Sequence, residues 1–362
     1  MATSLRRVDL RLLDHRFVWR TRNPLTARLI ESTYARFLYS RALGRSPDPD
    51  PMENTPGEDE RPEDESPQLA LHALAEKIYR RIETHLLLHA GAVERKGRAI
   101  VLGGPSSFGK TTLTLRLVAE GFRFLGDEIA PIERSTGRIE PLPRAIGLRP
   151  GAGDGIEPMA RDALRRGRAI EVGGKVVVDI EDLFPDSIGQ AADTGAIVVF
   201  GTSDETSGRF GDGFHRVEIA LREAEGRLLS DLRALPGVII EGQLDREVPT
   251  WRLRLDGRAG GSAALEGLRE RWREEILWVV PVLSHSGWSA PPVLRPLERS
   301  RAAFALVRDL LNRQPGGHLL GTLGGKLEVL TLELAGRLRS FDCWLLRPGP
   351  IEETVGLLRS LV

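Results

Sequence analysis

The chain has 362 residues, 51 Lys plus Arg against 51 Asp plus Glu, 41% hydrophobic residues and one cysteine. That length allows two domains or one large one with an ample core, and the composition is that of an ordinary globular chain. A single cysteine excludes an internal disulfide and a cysteine-based metal cluster.

Charge is unevenly spread along the chain. Residues 1–46 hold ten Arg against three acids, a net of +7. They read as a small basic N-terminal α+β domain. Met1-Ala-Thr-Ser-Leu-Arg-Arg has no apolar stretch behind it, so no secretory signal is read and a cytoplasmic location is expected. Val8 to Trp19 suggests two short strands with a turn at Asp14-His15. Pro24 to Tyr39 has helical spacing, with Asn23 as cap before a proline at the first helical position. Residues 47–67 hold nine acids, one Arg and six prolines, a net of −8. Such a run buries too little apolar surface to fold, so it reads as an acidic, Pro-rich disordered linker. The basic head either faces an anionic partner or simply carries solvated arginines. No interleaving of aromatic and basic residues points to nucleic acid.

Residues 68–362 read as the main domain. Leu69 to Leu88 has the pattern of a long helix, and Ala90-Gly-Ala-Val93 leads by hairpin into a buried strand, Arg98 to Gly103. Next comes Gly103-Gly-Pro-Ser-Ser-Phe-Gly-Lys-Thr-Thr112, in which Gly104, Gly109, Lys110 and Thr111 fit the phosphate-loop pattern G-x-x-x-x-G-K-[ST]. Glycines let successive backbone N–H groups converge on an anion, the lysine reaches the β and γ phosphates, and the hydroxyl coordinates Mg²⁺. With 39 glycines in the chain, the pattern arises by chance in roughly one such sequence in two hundred. Candidate nucleotide contacts are therefore Gly104, Pro105, Ser106, Ser107, Phe108, Gly109, Lys110, Thr111 and Thr112. A helix follows the loop and stops at Gly121.

Gly121-Phe-Arg-Phe-Leu-Gly-Asp-Glu-Ile129 then reads as a strand ending in an acid pair, Asp127 and Glu128. Two carboxylates there can divide the work, one helping to hold Mg²⁺ and the other taking a proton from an attacking hydroxyl. The competing reading is a pair of solvated charges at a strand end. Further strands are expected at Arg123–Leu125, Lys175–Ile180, Ala196–Phe200, Val238–Glu241 and Trp251–Leu255. Helices are expected at Ser262–Trp278, Glu298–Asn312 and Ile351–Leu361. The densest apolar run, Ile276 to Leu283, is too short to span a bilayer, so no membrane association is expected. Phe341 to Leu346 reads as a strand that buries Cys343 as an inert thiol. An arginine-dense stretch at Arg165, Arg166 and Arg168, with Lys175 beyond it, offers cations for the γ-phosphate or simply a basic surface.

His89-Ala-Gly-Ala-Val, the phosphate loop, and Gly121 to Glu128 together resemble the core of the bacterial HPr kinase/phosphorylase superfamily. They are most like the HPr-kinase-like serine kinases of peptide-modification systems, such as lasso-peptide kinases. The strong similarity covers residues 85–133, with a weaker one at Cys343-Trp-Leu-Leu-Arg-Pro-Gly and the helix after it. The resemblance implies an α/β fold: a phosphate-loop kinase core with a mixed sheet, of the HPr kinase/phosphoenolpyruvate carboxykinase type. It also implies an ATP- and Mg²⁺-dependent kinase acting on a serine of a protein or peptide. By position Asp127 would be the general base, Thr111 and Glu128 would share Mg²⁺, and Lys110 and His89 would lie at the transferring phosphate. Glu128 stands where the family usually has a second Asp. The Arg-Gly-x-Gly segment tied to phosphorylase activity has only Arg166-Gly-Arg-Ala as a counterpart.

Other readings remain. His85 and His89 are four apart, a spacing that on a helix would place two metal ligands on one face, and a core histidine is the plainer account of His89. The signature of an ABC-type ATPase and the base-reading motif of a GTPase are missing. A small-molecule kinase and a non-catalytic nucleotide sensor both stay open, as does self-association.

Overall fold

The computed structural model describes residues 5–13, 15–38, 52–53, 66–104, 109–148, 156–172, 174–201, 214–221, 226–244, 249–256, 258–272, 275–282, 291–311 and 327–362. Asp14, Pro105 to Phe108 and most of 47–65 lie outside them.

Strands β1 (Arg6–Leu12) and β2 (His15–Thr21) form the expected hairpin and are followed by helix α1 (Pro24–Thr33). Asn23 caps that helix, its side chain accepting from the backbone N–H groups of Leu25 and Thr26. The acidic run contributes two ordered pieces where none is expected. Met52–Glu53 forms β3, paired in parallel with Phe17 and Val18, and Ser66 caps helix α2 (Pro67–Arg81). Backbone hydrogen bonding to a strand edge and a helix cap need little apolar surface, which is why composition misses both. Helix α2 shares one hydrophobic core with this sheet: Phe17, Ile30, Tyr34, Leu74 and Ile78 pack together, and Ile129 and Leu142 from the main domain join them.

Helix α2 stops at Arg81, and His85–Leu88 is a strand, β4. This corrects the expected continuous helix to Leu88. The apolar triplet Leu86-Leu-Leu88 pairs antiparallel with β8 (Ala130–Glu133), a distant partner that outweighs the local helical spacing. His85 and His89 therefore share no helix face.

The centre of the molecule is a six-stranded mixed sheet. In chain order it contains β5 (Ala90–Arg95), β6 (Arg98–Gly103), β7 (Arg123–Gly126), β12 (Thr194–Phe200), β17 (Val293–Pro296) and β18 (Phe341–Arg347). In space the order is β17-β18-β12-β6-β5-β7. Strand β12 runs parallel to both β6 and β18, and the remaining pairs are antiparallel. Side chains alternate across β6 and β12. Ile100, Leu102, Ala196 and Val198 enter the core beneath helices α3 (Lys110–Ala119), α4 (Ile156–Arg165) and α10 (Ile351–Arg359). Val101, Ile197 and Val199 enter the opposite core, under α8 (Arg299–Leu311) and α9 (Leu327–Arg337). A central strand buried on both faces reads as a continuous apolar run, as both do. Cys343 lies on β18 in the second core, and burial pushes its thiol up to about 11. A small sheet of β9 (Ile146–Leu148), β10 (Ala169–Val172) and β11 (Lys175–Val178), with the short helix α5 (Ile180–Leu183), flanks the first core.

Residues 214–282 build a second unit inserted between β12 and β17. Its order is β13 (Phe214–Leu221), α6 (Gly226–Ala234), β14 (Val238–Leu244), β15 (Thr250–Asp256), α7 (Gly261–Arg271), β16 (Ile276–Val282). The strands lie as β14-β15-β13-β16, all antiparallel, which is a split βαββαβ arrangement with a core of its own. Helix α7 stops at Arg271, and Ile276 to Trp278, expected to end it, instead begin strand β16. Val279, Val280 and Val282 are β-branched and Pro281 cannot continue a helix. Among the described residues no helix is long and apolar enough to cross a membrane.

Candidate functional site

Strand β6 delivers the chain to Gly104, where φ is +151° and an added Cβ would lie 2.9 Å from Phe200 Cβ. Beyond the undescribed Pro105 to Phe108, Gly109 takes φ +83° and serves as the cap of α3. That left-handed value is inexpensive only for glycine. The first turn of α3 carries no acidic residue, and the dipole of such a helix start suits an anion. Lys110 is buried, and its Nζ donates to the Gly104 carbonyl at 2.6 Å, tying the two ends of the loop together. Thr112 sits half-buried in the same turn.

The acid pair reaches this helix through a close backbone approach. Strand β5 lies between β6 and β7 in the sheet, and α3 packs on β5. At Gly91 an added Cβ would meet Thr114 Oγ1 at 2.2 Å and Asp127 Oδ1 at 3.5 Å. Glycine there lets the helix settle against the strand, and Thr111 Oγ1 then donates to Asp127 Oδ2 at 2.8 Å. Gly91→Ala is expected to cost about 1–3 kcal/mol in chemical denaturation, as for overpacking in general, and to weaken nucleotide binding as well. Unchanged values of both would contradict this packing account.

Asp127 is 8% exposed, and Oδ1 has no hydrogen-bond partner among the described residues. Burial first, and the neighbouring Glu128 second, raise its carboxyl from 3.8 to about 6, while Thr111 and Lys110 pull the other way. A carboxylate held near neutrality suits proton transfer. Glu128 is exposed and has φ +68°. Few non-glycine residues take that conformation, and such outliers gather at functional sites. His89 is buried, in the bend between β4 and β5.

No family model matches this chain, and no curated protein matches it. A solved structure of the Hpr(Ser) kinase/phosphatase from Coxiella burnetii is similar at 14% identity, covering 33% of this chain and 69% of that chain, with a TM-score of 0.23. A likeness that slight carries no argument. The site stands on its own geometry.

The structure thus brings Gly104, Gly109, Lys110, Thr111 and Asp127 together, with Glu128 next in the chain. The arginines of the dense stretch are paired with carboxylates of α4 and α5. Arg165 and Arg166 are exposed and pair with Asp162, and Arg168 pairs with Asp182. Sequence reasoning missed Arg144, which is buried beside the acid pair. Its sole signal is one arginine within an otherwise unpatterned run, Glu140 to Ala145.

Proposed function

We propose that the chain is an ATP- and Mg²⁺-dependent kinase that transfers the γ-phosphate to a serine hydroxyl of a protein or peptide, with a ribosomal peptide precursor among the candidate acceptors. One observation carries the reading: the Thr111 hydroxyl at the start of α3 is hydrogen-bonded to the buried Asp127 carboxylate, with Lys110 one residue away. The residues fit the groups they would hold. The acid-free helix start would take the phosphates together with Gly104, Gly109, Lys110, Thr111 and Thr112; the sequence motif adds Pro105, Ser106, Ser107 and Phe108, which lie outside the described residues. Thr111 and Glu128 would hold Mg²⁺, which neutralises charge on the phosphates when bound.

Lys110 exchanges its bond to the Gly104 carbonyl for a phosphate oxygen. Asp127 orients the acceptor serine and takes its proton through Oδ1 as the serine oxygen bonds to phosphorus and ADP departs. By the family resemblance His89 would lie near the transferring phosphate. Formation of ADP in the presence of Mg²⁺ and a pool of serine-containing peptides tests the proposal against a nucleotide sensor. The kinase forms ADP in proportion to peptide phosphate, whereas a sensor binds ATP and forms none.

A further inference from the structure

Arg144 is 9% exposed and belongs to no regular element. Its NH1 donates to the Tyr79 hydroxyl, and its guanidinium carbon lies 4.9 Å from the Tyr34 ring centroid and 5.9 Å from that of Tyr79. Nε has no partner among the described residues. A buried cation is costly unless compensated, and here two ring faces and one phenol oxygen compensate it. All three come from the core that α2 shares with β1, β2 and α1, which together form the N-terminal unit: Tyr34 lies at the end of α1 and Tyr79 on α2. The charges of Glu128 and Asp127 also act on this guanidinium.

The backbone on either side of Arg144 is pinned to the same two places. Leu142 N–H donates to the Leu125 carbonyl at 2.7 Å, two residues before the acid pair, and Arg144 N–H donates to the Leu142 carbonyl at 2.9 Å. Ala145 N–H donates to the Thr33 carbonyl at 3.0 Å. Ile129, just after the acid pair, shares a core with Tyr34, Tyr79 and Leu142. Arg36 adds a second tie, to Asp179 and Glu181 at 2.7 Å each.

We infer that Arg144 is a positioning residue whose guanidinium, clamped by Tyr34 and Tyr79, fixes the turn carrying Asp127 and Glu128, so that the N-terminal unit is a working part of the site. The inference rests on the reading of that acid pair as the reacting centre, and it makes docking of the N-terminal unit and alignment of the carboxylates one event. Without the guanidinium, the two adjacent carboxylates lose one buried positive charge that acts on them, and the Leu125–Leu142 contact loses its brace.

Hydrogen exchange on the nucleotide-free full-length protein tests this without any activity. Arg144→Met is expected to speed exchange in the 123–129 peptide at least fivefold, and Tyr79→Phe, which removes a single oxygen, at least twofold. Calorimetry on the same proteins is expected to show ATP affinity without metal unchanged within twofold. The extra affinity conferred by Mg²⁺ should fall about tenfold in Arg144→Met. Faster exchange confined to 24–34 and 67–81, with 123–129 unchanged in both variants, overturns the inference. If wild type binds no ATP while exchange behaves as expected, the kinase proposal fails and the brace stands.

Discussion

Lys110→Ala is expected to weaken ATP binding by about ten- to a hundredfold, from the loss of one charge-assisted contact of roughly 1.5–3 kcal/mol. Transfer should fall further still, because the lysine meets phosphate in the ground state and more strongly in the transition state. The effect has a structural component too. Lys110 Nζ is the group that holds the Gly104 carbonyl at 2.6 Å, and both residues are buried. Without it this tie between the ends of the loop is lost, so the nest for phosphate loses preorganisation before any ligand arrives. Calorimetric affinity beside the rate of ADP formation checks both parts. An ATP affinity equal to wild type would mean that the loop does not hold phosphate.

Asp127→Asn is expected to behave differently. The amide preserves size, so ATP affinity should stay within about threefold, whereas transfer should fall roughly a hundredfold or more with the loss of a positioned base. Stability supplies a second signature. In the folded protein the carboxyl titrates at about 6 against 3.8 when unperturbed. The stability contributed by the protonated form is therefore fully present below pH 4 and lost as pH rises through 6, a change on the order of 3 kcal/mol. Asn keeps the neutral form at every pH. In metal-free buffer the variant should melt above wild type at pH 8, and the difference should vanish near pH 4. A variant less stable than wild type at pH 8 would mean that the buried carboxylate is better compensated than this geometry indicates. Kinase activity in wild type should correspondingly fall as pH drops below 6, when the base is already protonated.

Much of this site was legible in the sequence because its parts are local. The run Arg98 to Gly103, the glycines at 104 and 109, and the helical spacing from Leu113 to Val118 each announce themselves within ten residues, and strand β6 and helix α3 stand there in that order. The acid pair follows after one further strand. Other features depend on partners far along the chain. Leu86 to Leu88 spells a helix locally and becomes a strand because β8 offers it an edge. Gly91 looks like a hairpin glycine, and its role emerges only when Thr114 and Asp127 converge on it. Arg144 and Tyr79 are 65 residues apart, and no period in either segment brings them together. The inserted unit was hidden for a similar reason. Two of its strands are readable, at Val238–Glu241 and Trp251–Leu255, whereas the order β14-β15-β13-β16 is set by packing under α6 and α7.

The central claim is that the γ-phosphate of ATP ends on a serine. The most direct measurement uses ATP labelled at that phosphate, with Mg²⁺, serine-containing proteins and peptides, and either wild type or Asp127→Asn. Label is expected on serine, stable to acid, with wild type, and reduced roughly a hundredfold with the variant although it still binds ATP. Binding of ATP by both proteins, with no label on serine and no ADP formed by either, would contradict the account.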